Sequence, residues 1–434
     1  MRRTFASLSI RPSMHIVLLV AFLAGLPACT GRSAAPIASQ GNLPTLAPFA
    51  TITPPRPATS TITSEPPPTA TTTPLPTATI TPAPVIDLPG PLYVLAEEEF
   101  EKGGPLMLLK PGASAAVQVP TASEAISRFD LSPVDGRLAF GTVSGKIFVI
   151  NPGEEPKMVA DPSMNASHPV TITGLQWSPD GQRLAYTVAF QQFHDAFQKA
   201  EYPVEPTGVW VLDLDDPNPL WLLSNSYLDV GWVSLFYDPV WSPDGKALAV
   251  ERRTWEHNAS VWFYPIQPVQ TIYEAHETEY IDFSWATDSK GLFLGAMGYT
   301  DYVNLIWSSR ENGDMELLLD GPKMGWWIGQ PYALDTGIAF FAVTDTQRKS
   351  KGMFYGRYEA DTFIWSKIDH SPLCRENAHE INVHHTGENV ITLLCDKTDL
   401  RLIEPTQNTF RKIDLAPFME RIKGAVIQIH WGVD

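Results

Sequence analysis

Residues 175–186 read LQWSPDGQRLAY. Related phrases follow the same outline: FDLSPVDGRLAF from Phe129, PVWSPDGKALAV from Pro239 and FSWATDSKGLFL from Phe283. Each joins two apolar runs through a polar turn. In SPDG, Pro179 suits the second position of a type I turn, Asp180 the third and Gly181 the fourth. An Asp so placed hydrogen-bonds its own turn, so the phrase reads as a strand reversal and not as a metal or phosphate site. The turn acids or glycines fall at Asp135, Asp180, Asp244, Asp288, Asp335, Gly387 and Asp434. Their interval of about 50 residues lies in the range of propeller repeats.

One repeat shows the unit. TITGLQW is a first strand, QRLAYTVAF a second, GVWVLDL a third and LWLLS a fourth, with SPDG and DDPNP as turns. Short alternating runs rich in Val, Ile, Leu, Phe and Trp, divided by Pro, Gly, Asp and Asn, are an all-β pattern. Four antiparallel strands per repeat, set radially, make a β-propeller blade. The WSPDG…LA phrase resembles the WD-like repeats of TolB-type propellers, which also occur in the non-catalytic domain of the prolyl oligopeptidase family. The resemblance covers residues 92–434 and implies a fold, since this fold hosts many functions.

The chain ends resolve each other. AVIQIHWGVD (425–434) reads as a first strand with nothing after it. The run from Leu92, LYVLAEEE, PLMLLKPG and AAVQVP, supplies a second, third and fourth strand without a first. The C-terminal strand is therefore expected to complete the first blade, close the ring and remove its edges. Seven blades result. Six or eight would require the repeats near Pro331 and Glu380 to be misread.

Before the repeats the composition is different. Arg2, Arg3 and Arg11 precede an apolar run at residues 16–26, too short to span a bilayer, and LPAC sets Cys29 after it. This reads as an export signal over 1–28. The LPAC resembles a bacterial lipoprotein lipobox, with Pro27 an uncommon occupant. The resemblance implies lipidation of Cys29 and a membrane anchor facing the outside of the cell. Residues 29–90 form a Pro/Thr/Ser-rich linker, expected to be disordered and in part polyproline II, with few means of building a core. The third domain is 91–434. The 434-residue chain carries a formal net charge of −17. No basic patch is available to release phosphate counterions, so nucleic acid is excluded as a partner.

Topology sorts the loops. The turns between first and second strands, and between third and fourth, are short and polar. The loops on the opposite face are longer and richer in aromatics over blades three to six. Binding candidates there are Trp232, Arg252, Arg253, Trp255, His257, Tyr299, Asp301, Tyr302, Trp326 and Trp327. Such groups on a rigid scaffold suit a protein, peptide or carbohydrate partner. The tryptophans ending first strands, Trp177, Trp241, Trp285 and Trp431, are expected to pack between blades. The chain is expected to join the ring on the short-turn face.

Catalytic motifs are not found. There is no GxSxG elbow, no hydrolase domain is expected after the ring, and there is no P-loop. HEINVHH (379–385) lacks HExxH spacing, and His385 takes the slot that Trp177 fills. No cofactor, metal or catalytic residue is assigned. Cys374 and Cys395 are a candidate disulfide, whose loop of about 20 residues would contribute roughly 3 kcal/mol. The reading is a monomeric, surface-anchored, non-enzymatic propeller. Its alternatives are a propeller polysaccharide lyase or glycosidase and a passive envelope scaffold.

Overall fold

The computed structural model describes residues 88–97, 102–121, 124–166, 168–191, 207–216, 218–224, 235–253, 260–265, 273–274, 280–297, 303–344, 350–360, 362–368, 382–386, 390–395, 399–415 and 425–432. Within them, strands follow one another in antiparallel meanders of four. Calling the strands a to d outward, unit two is Ile126–Leu131, Leu138–Thr142, Ile147–Ile150 and Lys157–Ala160. Unit three is Val170–Trp177, Arg183–Phe190, Gly208–Asp213 and Leu220–Ser224. Unit four is Leu235–Trp241, Ala247–Arg253, Ser260–Pro265 and Tyr273–Glu274. Units five (Tyr280–Trp285, Gly291–Met297, Val303–Ser309, Met315–Leu319) and six (Trp326–Leu334, Gly337–Thr344, Ser350–Glu359, Thr362–Lys367) share one eight-stranded sheet. A single parallel pairing, Val303 with Trp327, joins them. Unit seven is Asn382–Thr386, Val390–Cys395, Asp399–Glu404 and Thr409–Asp414.

Unit one draws on both ends of the repeat region. Ala425–Trp431 pairs antiparallel with Leu92–Glu97, which continues to Leu106–Leu109 and Val117–Gln118. The C-terminal strand thus completes the first sheet, as expected from the truncated repeat. Leu92 lies opposite Trp431, so the chain enters at the end of the strands where the SPDG-type turns sit.

The core is a set of sandwich layers between successive sheets. Leu95 and Leu106 of unit one pack on Phe129 and Phe140 of unit two. Ala139 and Ile147 of unit two pack on Trp177, Leu184 and Tyr186 of unit three. Val209 and Leu223 of unit three meet Trp241 and Leu248 of unit four, and Ala249 of unit four meets Trp285 and Leu292 of unit five. Leu305 of unit five packs on Phe340 and Phe354 of unit six, and Met353 and Tyr355 of unit six pack on Ile391 and Ile403 of unit seven. Leu394, Leu400 and Leu402 of unit seven return to Leu92, Val94 and Ile429 of unit one. Each sheet therefore buries both faces against neighbours, and the last covers the first. This is a β-propeller.

A shared irregularity shapes the inner strands. In units one to six the a–b ladder shifts register a few residues before the turn, at Gln428/Val426, Ile126/Arg128, Ile172/Gly174, Tyr237/Val240, Tyr280/Asp282 and Gly329/Tyr332. Such bulges increase twist and release one residue from the ladder. Pro239 and Pro331 occupy these places, where a missing N–H costs no ladder bond. The inner strands also approach closely: a Cβ on Gly174 would stand 2.5 Å from Pro239 Cδ of the next unit.

Candidate functional site

The repeated phrase is a fastening between units. Gly181 N–H donates to Ser178 O at 2.8 Å, closing the turn, and Gly181 has φ +69°. Asp180 accepts from Ser178 Oγ at 2.5 Å and from Gln182 N–H at 3.1 Å. Burial pushes its carboxyl up, but these bonds and nearby Arg183 outweigh that and hold it below the ordinary Asp value. Arg183, at the start of strand b, then crosses to the next unit. Its guanidinium lies 4.7 Å over the Trp241 ring and donates to Gly245 O at 2.9 Å. Arg137 repeats the arrangement one unit earlier, over Trp177 at 4.7 Å and onto Gly181 O at 2.5 Å. Unit four carries Ala247 in that slot. There Arg310, from the c–d turn of unit five, lies over Trp285 at 5.8 Å and pairs with Asp244 at 2.9 Å.

The tryptophans are the buried half of this device. Trp177, Trp241 and Trp285 are all buried, and Trp431 is half-buried. Trp241 Nε1 donates to Gln176 O and Trp285 Nε1 to Val240 O, each in the preceding unit. Trp431 Nε1 donates to Thr392 Oγ1 of unit seven at 2.8 Å.

A second set of polar residues faces along the inner strands, one or three positions before the turn tryptophan or its substitute. Gln428 of unit one exchanges two bonds with the Phe129 backbone of unit two. Asp130 of unit two accepts from Trp177 N–H at 2.7 Å, and Gln176 of unit three accepts from Trp241 N–H at 2.7 Å. Asp282 and Ser284 of unit five accept from the backbone N–H groups of Gln330 and Ala333 in unit six. Asp130 also stands 3.3 Å from His430 Nε2. Burial dominates at Asp130 and raises its carboxyl pKa; His430 and the N–H groups of Trp177 and Leu131 act against it. These residues spend their hydrogen bonds on neighbouring backbone, so their first role is to register one sheet on the next. Nothing in the phrases themselves marked them out, because the partners of each lie in the next unit.

Of the binding candidates, Trp326 and Trp327 lie among the described side chains. The sequence puts them in a loop; the structure puts them at the start of strand a of unit six. Asp320 accepts from Lys323 N–H and caps a short helix, Gly321–Met324, which leads directly into that strand. Trp326 packs 5.1 Å from Phe354 and 5.6 Å from Trp365, ring to ring. Trp327 Nε1 is buried and makes no hydrogen bond among the described residues. Arg252 and Arg253 belong to strand b of unit four, opposite Phe236 and Leu235. Trp232, Trp255, His257, Tyr299, Asp301 and Tyr302 lie outside the described residues, as do Cys29, Cys374 and His379. Cys395 ends strand b of unit seven.

The outer rims of units five and six carry what the sequence reading passed over. Met315 and Leu317 on one, and Tyr358, Ile364 and Trp365 on the other, are 36–53% exposed. Tyr358 Oη donates to Glu316 at 3.1 Å and ties the two rims together. Burial, then the Glu316 charge, pushes that phenol up to about 12. Phe363 stacks edge-on against Tyr358 at 5.5 Å and fills the space over Gly356, where a Cβ would collide with its ring. Aromatic side chains thus run from Trp326 through Phe354 to exposed Trp365.

The chain matches no protein-family model and no curated protein. Solved structures do resemble it. Puromycin hydrolase aligns with a TM-score of 0.52 at 12% identity, over 76% of this chain and 53% of the hydrolase. TolB from Acinetobacter baumannii aligns at 0.41 and 11%, over 80% of this chain and 67% of that one. The β-propeller domain of Cps50 (Swd1) from Myceliophteria thermophila aligns at 0.40 and 12%, over 71% and 87%. The chain spans about half the length of puromycin hydrolase. At 12% identity the likeness to puromycin hydrolase is one of fold.

Proposed function

We propose that this chain is a seven-bladed, non-enzymatic interaction propeller that holds a protein or peptide partner, with the units-five-and-six aromatic surface as the contact. The observation that carries this reading is the exposed set Met315, Leu317, Tyr358, Ile364 and Trp365, continuous with half-buried Trp326 and buried Phe354. Most side chains that show this much apolar surface elsewhere stand singly; here four lie on the outermost strands of units five and six and Tyr358 on the strand beside one of them. Large exposed apolar groups on a rigid support suit partner contacts, and aromatic anchors supply most of the energy at such contacts. The seven successive units, each packed on the next, support the blade count.

In the same reading Cys29 is the lipid-bearing residue, residues 29–90 are the spacer and the ring is held outside the cell membrane. The short-turn face then lies nearer the membrane, because strand b of unit one starts there. Trp232, Arg252, Arg253, Trp255, His257, Tyr299, Asp301 and Tyr302 extend the contact toward blades three to five. Binding of the full chain to a peptide array, and to a glycan array in parallel, tests the reading. Peptide binding that falls at least tenfold in the Leu317→Asp/Trp365→Asp variant is expected, with its unfolding midpoint little changed. Binding to glycans alone, or turnover of a polysaccharide by the full chain, overturns it.

A further inference from the structure

The seam between units seven and one contains a cleft that the preceding reading leaves unused. Its volume is about 430 Å³, and its walls include Trp431, Phe410, Leu402, Arg411 and the backbone at Pro89 and Gly90. That is the size of clefts that take small ligands or a few residues of peptide. Phe410 is 39% exposed on the outermost strand, unlike most apolar residues of this seam, which are buried. Gly432 N–H donates to Pro91 O at 2.7 Å, so backbone from both ends of the ring region forms one wall.

We propose that this cleft is the docking site for the chain's own residues 79–87, TITPAPVID. Two observations carry it. The cleft wall contains Pro89 and Gly90, so this segment leaves from the cleft itself and needs no long connection. Its chemistry matches the walls: the segment offers Pro82 and Pro84, followed by Val85 and Ile86, to a cleft lined by Trp431 and Phe410, and aromatic-lined grooves take proline-bearing extended chain because its conformation is already restricted. Nine residues of polyproline II reach about 28 Å, enough to cross the seam. Docking would fix the last part of the spacer against the short-turn face, so that the spacer's free length ends near residue 79 and not at the ring.

Photo-crosslinking of the full chain tests this directly. A Phe410→p-benzoyl-phenylalanine variant is irradiated as a mixture of isotopically light and heavy protein, and the adducts are mapped by mass spectrometry. Intramolecular adducts within residues 79–87 are expected. Adducts that form only between light and heavy copies, or that avoid residues 79–87, overturn the proposal. As a second readout, amide exchange at Thr409–Arg411 is compared with that of the Pro82→Gly/Pro84→Gly/Ile86→Ser variant, whose changes lie outside the ring sheets. At least fivefold faster exchange in the variant is expected, and unchanged exchange overturns the proposal. Either result leaves the units-five-and-six contact surface untouched.

Discussion

Units three and four are fastened to each other differently from units seven and one. Between three and four, every level of the interface carries a directed polar contact. Gln176 holds the Trp241 backbone, Trp241 Nε1 returns to Gln176 O, and Arg183 covers the indole and reaches Gly245 O. Between seven and one the main content is aliphatic: Leu88, Leu92, Val94, Leu394, Leu400, Leu402, Ile413, Leu415 and Ile429. Trp431 Nε1 also donates to Thr392 Oγ1 across it. Apolar contact is non-directional. The first interface therefore fixes register as well as affinity, while the two ends of the ring region are joined within unit one by the six residue pairs between Ala425–Trp431 and Leu92–Glu97.

The comparison breaks most severely if that strand is removed. Deleting residues 425–434 exposes the edge of Leu92–Glu97 and strips Ile429 from the seam cluster. The expected outcome is loss of a cooperative thermal transition in circular dichroism; a normal transition would show that the seam closes without its strand. Next in size is Trp241→Ala. It removes a buried indole from the interface of units three and four and should cost about 3–5 kcal/mol in chemical denaturation. Arg183→Met alone should cost only about 1 kcal/mol, as a partly exposed cation–π and carbonyl contact. If Arg183→Met matched Trp241→Ala, the cation would be the fastening and the indole its support.

The smallest expected effect is the most discriminating. Asp130 is buried and its carboxyl pKa is raised, chiefly by burial. Between the ordinary Asp value and the raised one, the folded chain binds more protons than the unfolded chain, so this residue makes stability fall as pH rises through that window. Asp130→Asn keeps an acceptor for Trp177 N–H and removes the charge. The variant should be as stable as the parent or slightly more so at pH 7, with a flatter stability profile from pH 4 upward. A loss of more than about 2 kcal/mol at pH 7 would show that the Asp130–His430 pair is a net fastening, as breaking a buried ion pair is.

The fold was legible because its information is local. A turn such as SPDG specifies reversal through Pro179 and Gly181 whatever lies around it, and copies at a steady interval specify a repeat. The role of Arg183 was not legible, since its partners Trp241 and Gly245 lie in the next copy. Trp326 and Trp327 were read as loop for a physical reason. WWIGQPYAL does not alternate, and Pro331 reads as a break; the strand tolerates both through the bulge at Gly329/Tyr332, where Gln330 takes φ +49°. The seam cleft was beyond reach altogether, because it unites Pro89 and Gly90 with Val390, Leu402, Phe410 and Trp431.

Building the first sheet from two distant ends also sets a timetable. Strand Leu92–Glu97 is among the first parts of the ring to be made, and its partner Ala425–Trp431 is the last. At a ribosomal rate of about 5–20 residues per second, roughly 20–60 seconds separate them. Throughout that interval an apolar edge bearing Leu92, Val94 and Leu95 waits without its neighbour. Edges of that kind recruit other strands. A growing chain of this protein therefore has a long window in which it must be kept from pairing with itself, with its neighbours or with a second nascent copy, and that window closes only once Ala425–Trp431 has been made.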